Sequence, residues 1–165
     1  MSPRAAWRLE SLGFTEVYDY AAGKADWLAW GLPREGRTAQ VPAVGDVARR
    51  DVATCSLADR MANAKARAQA TGFDACVVVN ERRVVLGLLR SQELEADPEA
   101  PAEQVMRAGP TTYRPNVPAH EAGARMRARG VDVLTVTTPD GVLVGLLRRE
   151  DAEAAENTAA GDSQH

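Results

Sequence analysis

The chain has 165 residues, 45% of them hydrophobic and 26% charged, with a net charge of −3. That is the composition of a soluble globular domain, or of two tight subdomains, able to bury a core without staples. It gives no basis for non-specific nucleic-acid binding, no apolar run reaches the ~18 residues of a membrane span, and Cys55 and Cys76 make no disulfide framework.

The first stretch, "SPRAAWRLESLG", reads as a helix capped by Ser2, with Pro3 in its first turn and Gly13 as its left-handed stop. A signal-peptide core is missing from it, so a reduced, cytoplasmic protein is expected. A short strand, Glu16–Tyr20, follows, and then "AGKADWLAWGLP" reads as a second short helix ended by Gly31 and Pro33. Trp7, Phe14, Tyr18, Tyr20, Trp27 and Trp30 all fall here, leaving only Phe73 and Tyr113 for the rest of the chain. The break in composition divides the chain into a small helical extension at 1–36 and a Val-, Leu- and Ala-built body at 46–152. Residues 37–45 lack periodicity and read as a linker; 153–165 read as a disordered tail.

The body is an internal repeat. Shifted by 58 residues, 54–94 lies over 112–152 without a gap. Gly72/Gly130, Asp74/Asp132 and the run Gly-Leu-Leu-Arg at 87–90 and 145–148 coincide. Val47 over Val105 extends the register upstream. Each unit, about 46–96 and about 103–152, reads in the same way. A short strand reaches Thr54 or Thr112, and an Ala/Arg-rich helix over 58–71 or 118–129 is closed by Gly72 or Gly130. Two strands follow, at 75–79 and 84–89 or at 133–137 and 142–147, joined by polar turns. A final helix opens at Ser91 or Arg149. The fold class is α/β, with tandem β-α-β-β-α repeats related by a pseudo-twofold axis.

The repeats resemble the cystathionine-β-synthase-type (CBS) domain, and the pair resembles a Bateman module. "DGVLVGLLRRED" resembles the family's hallmark of Asp-Gly, apolar residues, Gly, two apolar residues, Thr or Ser, two residues, Asp; "EQVM" resembles its lead-in. The resemblance implies a non-enzymatic regulatory or sensory homodimer. Its ligand would be AMP, ATP, S-adenosylmethionine or a similar adenosine compound held between the repeats, with no required cofactor and no metal. Carried over by position, it implicates Asp151 with Thr112, Tyr113, Asp132, Val133 and Arg148 in one cleft. The other cleft would hold Glu93 with Thr54, Cys55, Asp74, Ala75 and Arg90. The acid would accept the ribose hydroxyls, and a helix start favours phosphate. Arg90 and Arg148 replace the family's Thr or Ser, and they either clamp phosphate or fill the clefts. A ligand-free interaction module is the alternative function.

Residues 2–36 resemble the last part of a rhodanese-like domain, which leaves a degenerate sulfurtransferase as a further alternative. "CSLADR" at 55–60 spells that family's Cys-x4-Arg, yet it opens an Ala-rich helix, so Cys55 reads as a strand-end residue and Cys76 as core. His120 and His165 have no ligand-spaced partner, and "ARMRARG" reads as a solvated helix face. Trp27 and Trp30 read as anchors for the N-terminal segment or as dimer contacts.

Overall fold

The computed structural model describes residues 3–18, 23–36 and 41–161. Helix α1 (Pro3–Ser11) and helix α2 (Gly23–Ala29) form the extension. Glu16–Tyr18 is not a strand, which corrects that expectation; Ser2, Tyr20 and the linker residues 37–40 lie outside the described residues. The segment has few apolar partners: Trp7, Phe14, Tyr18 and Trp30 are exposed, and only Leu28 and Ala29 of α2 are buried. The body runs α3 (Val44–Val47), β1 (Thr54–Cys55), α4 (Met61–Thr71), β2 (Ala75–Val79), β3 (Val85–Arg90) and α5 (Ser91–Leu94). The second unit repeats this as α6 (Ala102–Val105), β4 (Arg107–Ala108), β5 (Thr112–Tyr113), α7 (Ala119–Ala128), β6 (Val133–Thr137), β7 (Leu143–Arg148) and α8 (Arg149–Gly161). Helix α8 carries regular structure through 153–161, where composition alone reads a disordered tail.

Within each unit the first strand pairs parallel to the second, and the second antiparallel to the third, as β-α-β-β order requires. The register repeats with the sequence: Thr54 faces Val77 and Thr112 faces Thr135, while Ala75 faces Arg90 and Val133 faces Arg148. Gly72 (φ 67°) and Gly130 (φ 61°) take the left-handed turn that ends each long helix, a conformation that disfavours a Cβ.

The units exchange their lead-ins. Strand β4 belongs in sequence to the second repeat but pairs with β3 of the first, Arg107 opposite Leu88. Arg49, one period earlier, bridges Leu146 of β7, with N–H···O contacts of 2.9 and 3.0 Å. Short helix α3 likewise packs on α7, α8 and β7, and α6 packs on β3. Each core therefore contains the other repeat's lead-in. Val44 and Ala48 join Tyr113, Met126, Val136 and Leu147 in one core; Ala102, Val105 and Met106 join Cys55, Met61 and Leu89 in the other. A third cluster, Phe73, Ala75, Val77, Leu88, Leu143 and Leu146, lies between the repeats.

The pseudo-twofold axis passes between the hairpin tips. Val84 bridges Val142, its own counterpart. Val85 N–H donates to the Gly141 carbonyl at 3.0 Å, and Leu143 N–H to the Arg83 carbonyl at 2.9 Å. The exchange explains the glycine of Gly-Leu-Leu-Arg. A Cβ on Gly145 would fall inside van der Waals contact of the Arg49 carbonyl, and one on Gly87 would strike the Met106 side chain.

Candidate functional site

Burying strand ends Leu146–Leu147 and Leu88–Leu89 leaves the following arginine and helix start at the surface where the repeats meet. There the exchanged lead-ins bring a guanidinium to each acid. Arg49 reaches Asp151 through Nε at 3.2 Å and Nη2 at 3.5 Å. Arg107, one period on, reaches Glu93 through Nε at 2.6 Å.

The first cleft has an aromatic floor. Phe73, in the turn between α4 and β2, is buried beneath two guanidiniums. Arg148 lies 4.3 Å and Arg49 5.8 Å from the ring centroid, within cation–π range. Arg148 also donates to the Gly72 carbonyl and, at 3.1 Å, to Glu150 Oε1. Asp132 pairs with Arg149 at 2.8 Å, and its carbonyl accepts the Arg149 N–H. The groove here, 460 Å³, is lined by Gly72, Asp74, Asp132, Val133, Arg148 and Glu150 among others. A second groove of 250 Å³ continues past the axis along Asp74, Ala75, Arg90, Ser91, Asp132 and Val133. The buried Arg90 Nε has no hydrogen-bond partner there.

Glu93 is held more tightly. It accepts the Arg90 N–H at 3.0 Å as well as Arg107. Burial pushes its carboxyl up, but the Arg107 and backbone hydrogen bonds outweigh burial and hold it below the ordinary value. Its cleft has Val131 where the other has Phe73, and the helix it opens, α5, has only four residues against thirteen for α8.

Of the residues anticipated from sequence, Asp74, Ala75, Asp132, Val133, Arg90 and Arg148 line the connected grooves, with Asp151 and Glu93 at their two lead-in contacts. The grouping differs from the expected one, because Arg148 faces Gly72 and Phe73 of the other repeat. Thr112 and Tyr113 stand apart. Strand β5 is at one edge of its sheet and the Arg49 bridge is on the far side of β7. Thr54 and Cys55 of β1 border a separate 730 Å³ cavity. Cys55 and Cys76 are both free and buried. A hydrogen bond to Cys76 lowers the Cys55 thiol, and the same contact with burial raises that of Cys76. Arg49 and Phe73 were not singled out from sequence; the Arg49/Arg107 identity, one period apart, is the signal that points to the first of them.

Among the described residues, no helix is long and apolar enough to cross a membrane, and no group of three or more His, Cys, Asp or Glu residues could hold a metal ion. Comparison with known proteins gives a consistent result. Residues 102–155 match the CBS domain family. An uncharacterized protein of Methanopyrus kandleri is 26% identical over 117 residues, which cover 66% of this chain and 60% of that protein's length. The CBS domain pair of protein MJ0100, solved in complex with 5′-methylthioadenosine and S-adenosyl-L-methionine, superposes with a TM-score of 0.63 at 16% identity, covering 72% of this chain and 98% of that one. The cytosolic domain of the Mg2+ channel MgtE, solved in complex with ATP, gives 0.63 at 18% identity, over 68% of this chain but only 48% of that chain. The match at residues 102–155 and the superposition of both exchanged β-α-β-β-α units agree that the chain has the fold of a CBS domain pair.

Proposed function

We propose that this CBS pair is a non-enzymatic regulatory module that binds an adenosine-containing ligand in the cleft at Asp151. The observation that carries the reading is the cluster of Asp151, Arg49, Arg148 and Phe73, which joins both repeats at the start of α8. Its chemistry matches the ligand part by part. A carboxylate accepts vicinal ribose hydroxyls through charge-assisted bonds. An aromatic face stacks a purine. Two guanidiniums and a helix start receive phosphate, or the carboxylate of an S-adenosylmethionine-like compound. The ligand would displace Arg49 from Asp151 and lift Arg148 off Phe73. Because Arg49 belongs to the first repeat's lead-in and Asp151 to the second repeat, exchanging that contact changes repeat geometry, which is how binding becomes a signal. The solved structures that hold ATP, and 5′-methylthioadenosine with S-adenosyl-L-methionine, support the ligand class.

Glu93 forms the weaker cleft, since its acid is already occupied by two donors and lacks an aromatic floor. Titration calorimetry with AMP, ATP, 5′-methylthioadenosine and S-adenosylmethionine tests the reading. Saturable binding of one of them is expected, together with a stability gain of about 2.7 kcal/mol at 100-fold excess over Kd. Asp151→Ala abolishes it and Glu93→Ala preserves it. Absence of binding by all four overturns the reading.

One observation favours the second reading, a ligand-free interaction module: Arg148 and Arg49 already cover Phe73. Failure of every adenosine ligand alongside a stable homodimer in sedimentation would support it. Both readings expect a homodimer in a reducing compartment such as the cytoplasm, in keeping with two unpaired thiols.

A further inference from the structure

The 58-residue symmetry fails at the end of β6, outside the adenosine cleft. After β5, Arg114 turns back over the end of β6. Its Nη1 donates to Thr137 Oγ1 at 2.9 Å, to the Thr137 carbonyl at 3.4 Å and to the Thr138 carbonyl. The guanidinium thus covers the exit of its own sheet. One period earlier stands Ser56, whose side chain is too short to reach, and whose N–H is bound by Asp59 Oδ2 at 2.8 Å. Val79 and Asn80 stand in the first repeat where Thr137 and Thr138 stand in the second. The space that Arg114 fills in one repeat is, in the other, the 730 Å³ cavity bordered by Ser56, Leu57, Arg67, Asn80, Arg82 and Leu86 among others.

The cavity has three chemical zones. Val79 and Asn80, the counterparts of the residues whose carbonyls accept from Arg114, line one part of it. Its floor is apolar: Leu57 and Leu86 pack against the first repeat's core and Val79 against the cluster between repeats. Its charged lining residues are Arg67 of α4 and Arg82 and Glu81 of the β2–β3 turn, two cations to one anion. Arg67 is held by bonds of 3.0 Å to the Thr54 carbonyl and 3.0 Å to Asp59 Oδ2.

We propose that this cavity is a second ligand site, independent of the adenosine cleft, for a small guanidino compound that also carries an acid group. The guanidinium would repeat the contacts of Arg114 with the strand-end carbonyls, the methylene chain would lie on Leu57 and Leu86, and the acid would meet Arg67 and Arg82. The protein itself supplies the template, since the second repeat already contains the bound form with a tethered guanidinium.

The test is titration calorimetry of the full chain with L-arginine, agmatine and citrulline. L-arginine binds saturably at one site per chain, agmatine (no acid) more weakly, and citrulline (no cationic head) not at all. Ser56→Arg, which copies the second repeat, removes binding while the protein still melts cooperatively, because the introduced guanidinium occupies the site. Arg114→Ser leaves the stoichiometry at one, because Asp140 stands in the second repeat where Arg82 stands in the first. Lack of saturable L-arginine binding, or binding of unchanged strength in Ser56→Arg, overturns the proposal. Equal affinity for agmatine and L-arginine overturns the role given to Arg67 and Arg82. Binding of adenosine compounds has no part in these readouts, so the two sites stand or fall separately.

Discussion

Phe73 in the first repeat and Val131 in the second occupy one position of a shared skeleton; so do Asp151 and Glu93, and Ser56 and Arg114. The backbone contacts around them are duplicated almost bond for bond. Ala102 N–H meets the Asp59 carbonyl at 2.8 Å as Val44 N–H meets that of Val117 at 2.8 Å, and Met61 meets Ala100 at 3.0 Å as Ala119 meets Pro42 at 2.8 Å. The openings, by contrast, are individual. The duplicated part is main chain and close packing, where a change on one copy must be accommodated by the other. The side chains at the cleft mouths are under no such constraint, and there the two halves have become different sites.

Core substitutions should separate the halves most strongly. Phe73→Ala removes a fully buried ring from the cluster between repeats and is expected to cost about 3–5 kcal/mol, whereas Val131→Ala, at a half-buried position, costs roughly 1 kcal/mol; urea denaturation compares them. Equal losses would mean that Phe73 does not carry the interface. Next come the paired glycines. Gly145→Ala meets main chain, the Arg49 carbonyl, and is expected to lose about 3 kcal/mol; Gly87→Ala meets only the flexible Met106 and loses about 1 kcal/mol. Thermal melts of the two variants rank them, and the opposite order would contradict the exchanged lead-ins.

Arg114→Ala leaves strand-end acceptors without their donor and should cost about 1–2 kcal/mol, while Ser56→Ala stays within about 0.5 kcal/mol. The smallest effect concerns pH. Glu93 titrates below its ordinary value in the folded protein. Its stabilisation is therefore fully present above the unfolded pKa of about 4.3 and drains as pH falls through the depressed folded value. Glu93→Gln should lower the melting temperature at neutral pH, with the difference from the parent closing as pH falls through that acid window, so that the acid slope flattens. An unchanged acid slope would show that the Arg107 pair contributes nothing to stability.

The repeat was legible from sequence because it is written in local terms. Gly72 and Gly130 stop helices, Gly-Leu-Leu-Arg ends buried strands, and both recur in one register, so element type and order follow. The lead-in exchange is not local. Nothing in "VGDVARR" states that Arg49 will bridge Leu146 and not a strand of its own repeat, and the glycine that admits it lies about a hundred residues away. The site inherited that gap. Asp151, Arg148 and Asp132 can be named from sequence because they sit in the motif itself. Arg49 and Phe73 enter from the other half and carry no such mark, and the strand of Thr112 and Tyr113 lies at the sheet edge away from the Arg49 bridge. At the N-terminus, the short strand expected at Glu16–Tyr20 does not form over its described part, Glu16–Tyr18, which stays irregular. In the tail, Ala and Glu give helix propensity, and α8 continues beyond the cleft through 153–161.

The exchanged lead-ins also set an order of events during synthesis. When the first repeat has left the ribosome, β3 still lacks its neighbour, and the core around Met61 and Leu89 lacks Ala102, Val105 and Met106. That half waits for the opening residues of the second. The second waits for nothing, because Val44, Ala48 and Arg49 were made long before β7 needs them. Completion thus falls to the C-terminal half, and a nascent chain stalled before residue 102 would expose the edge of β3 to any strand that could pair with it.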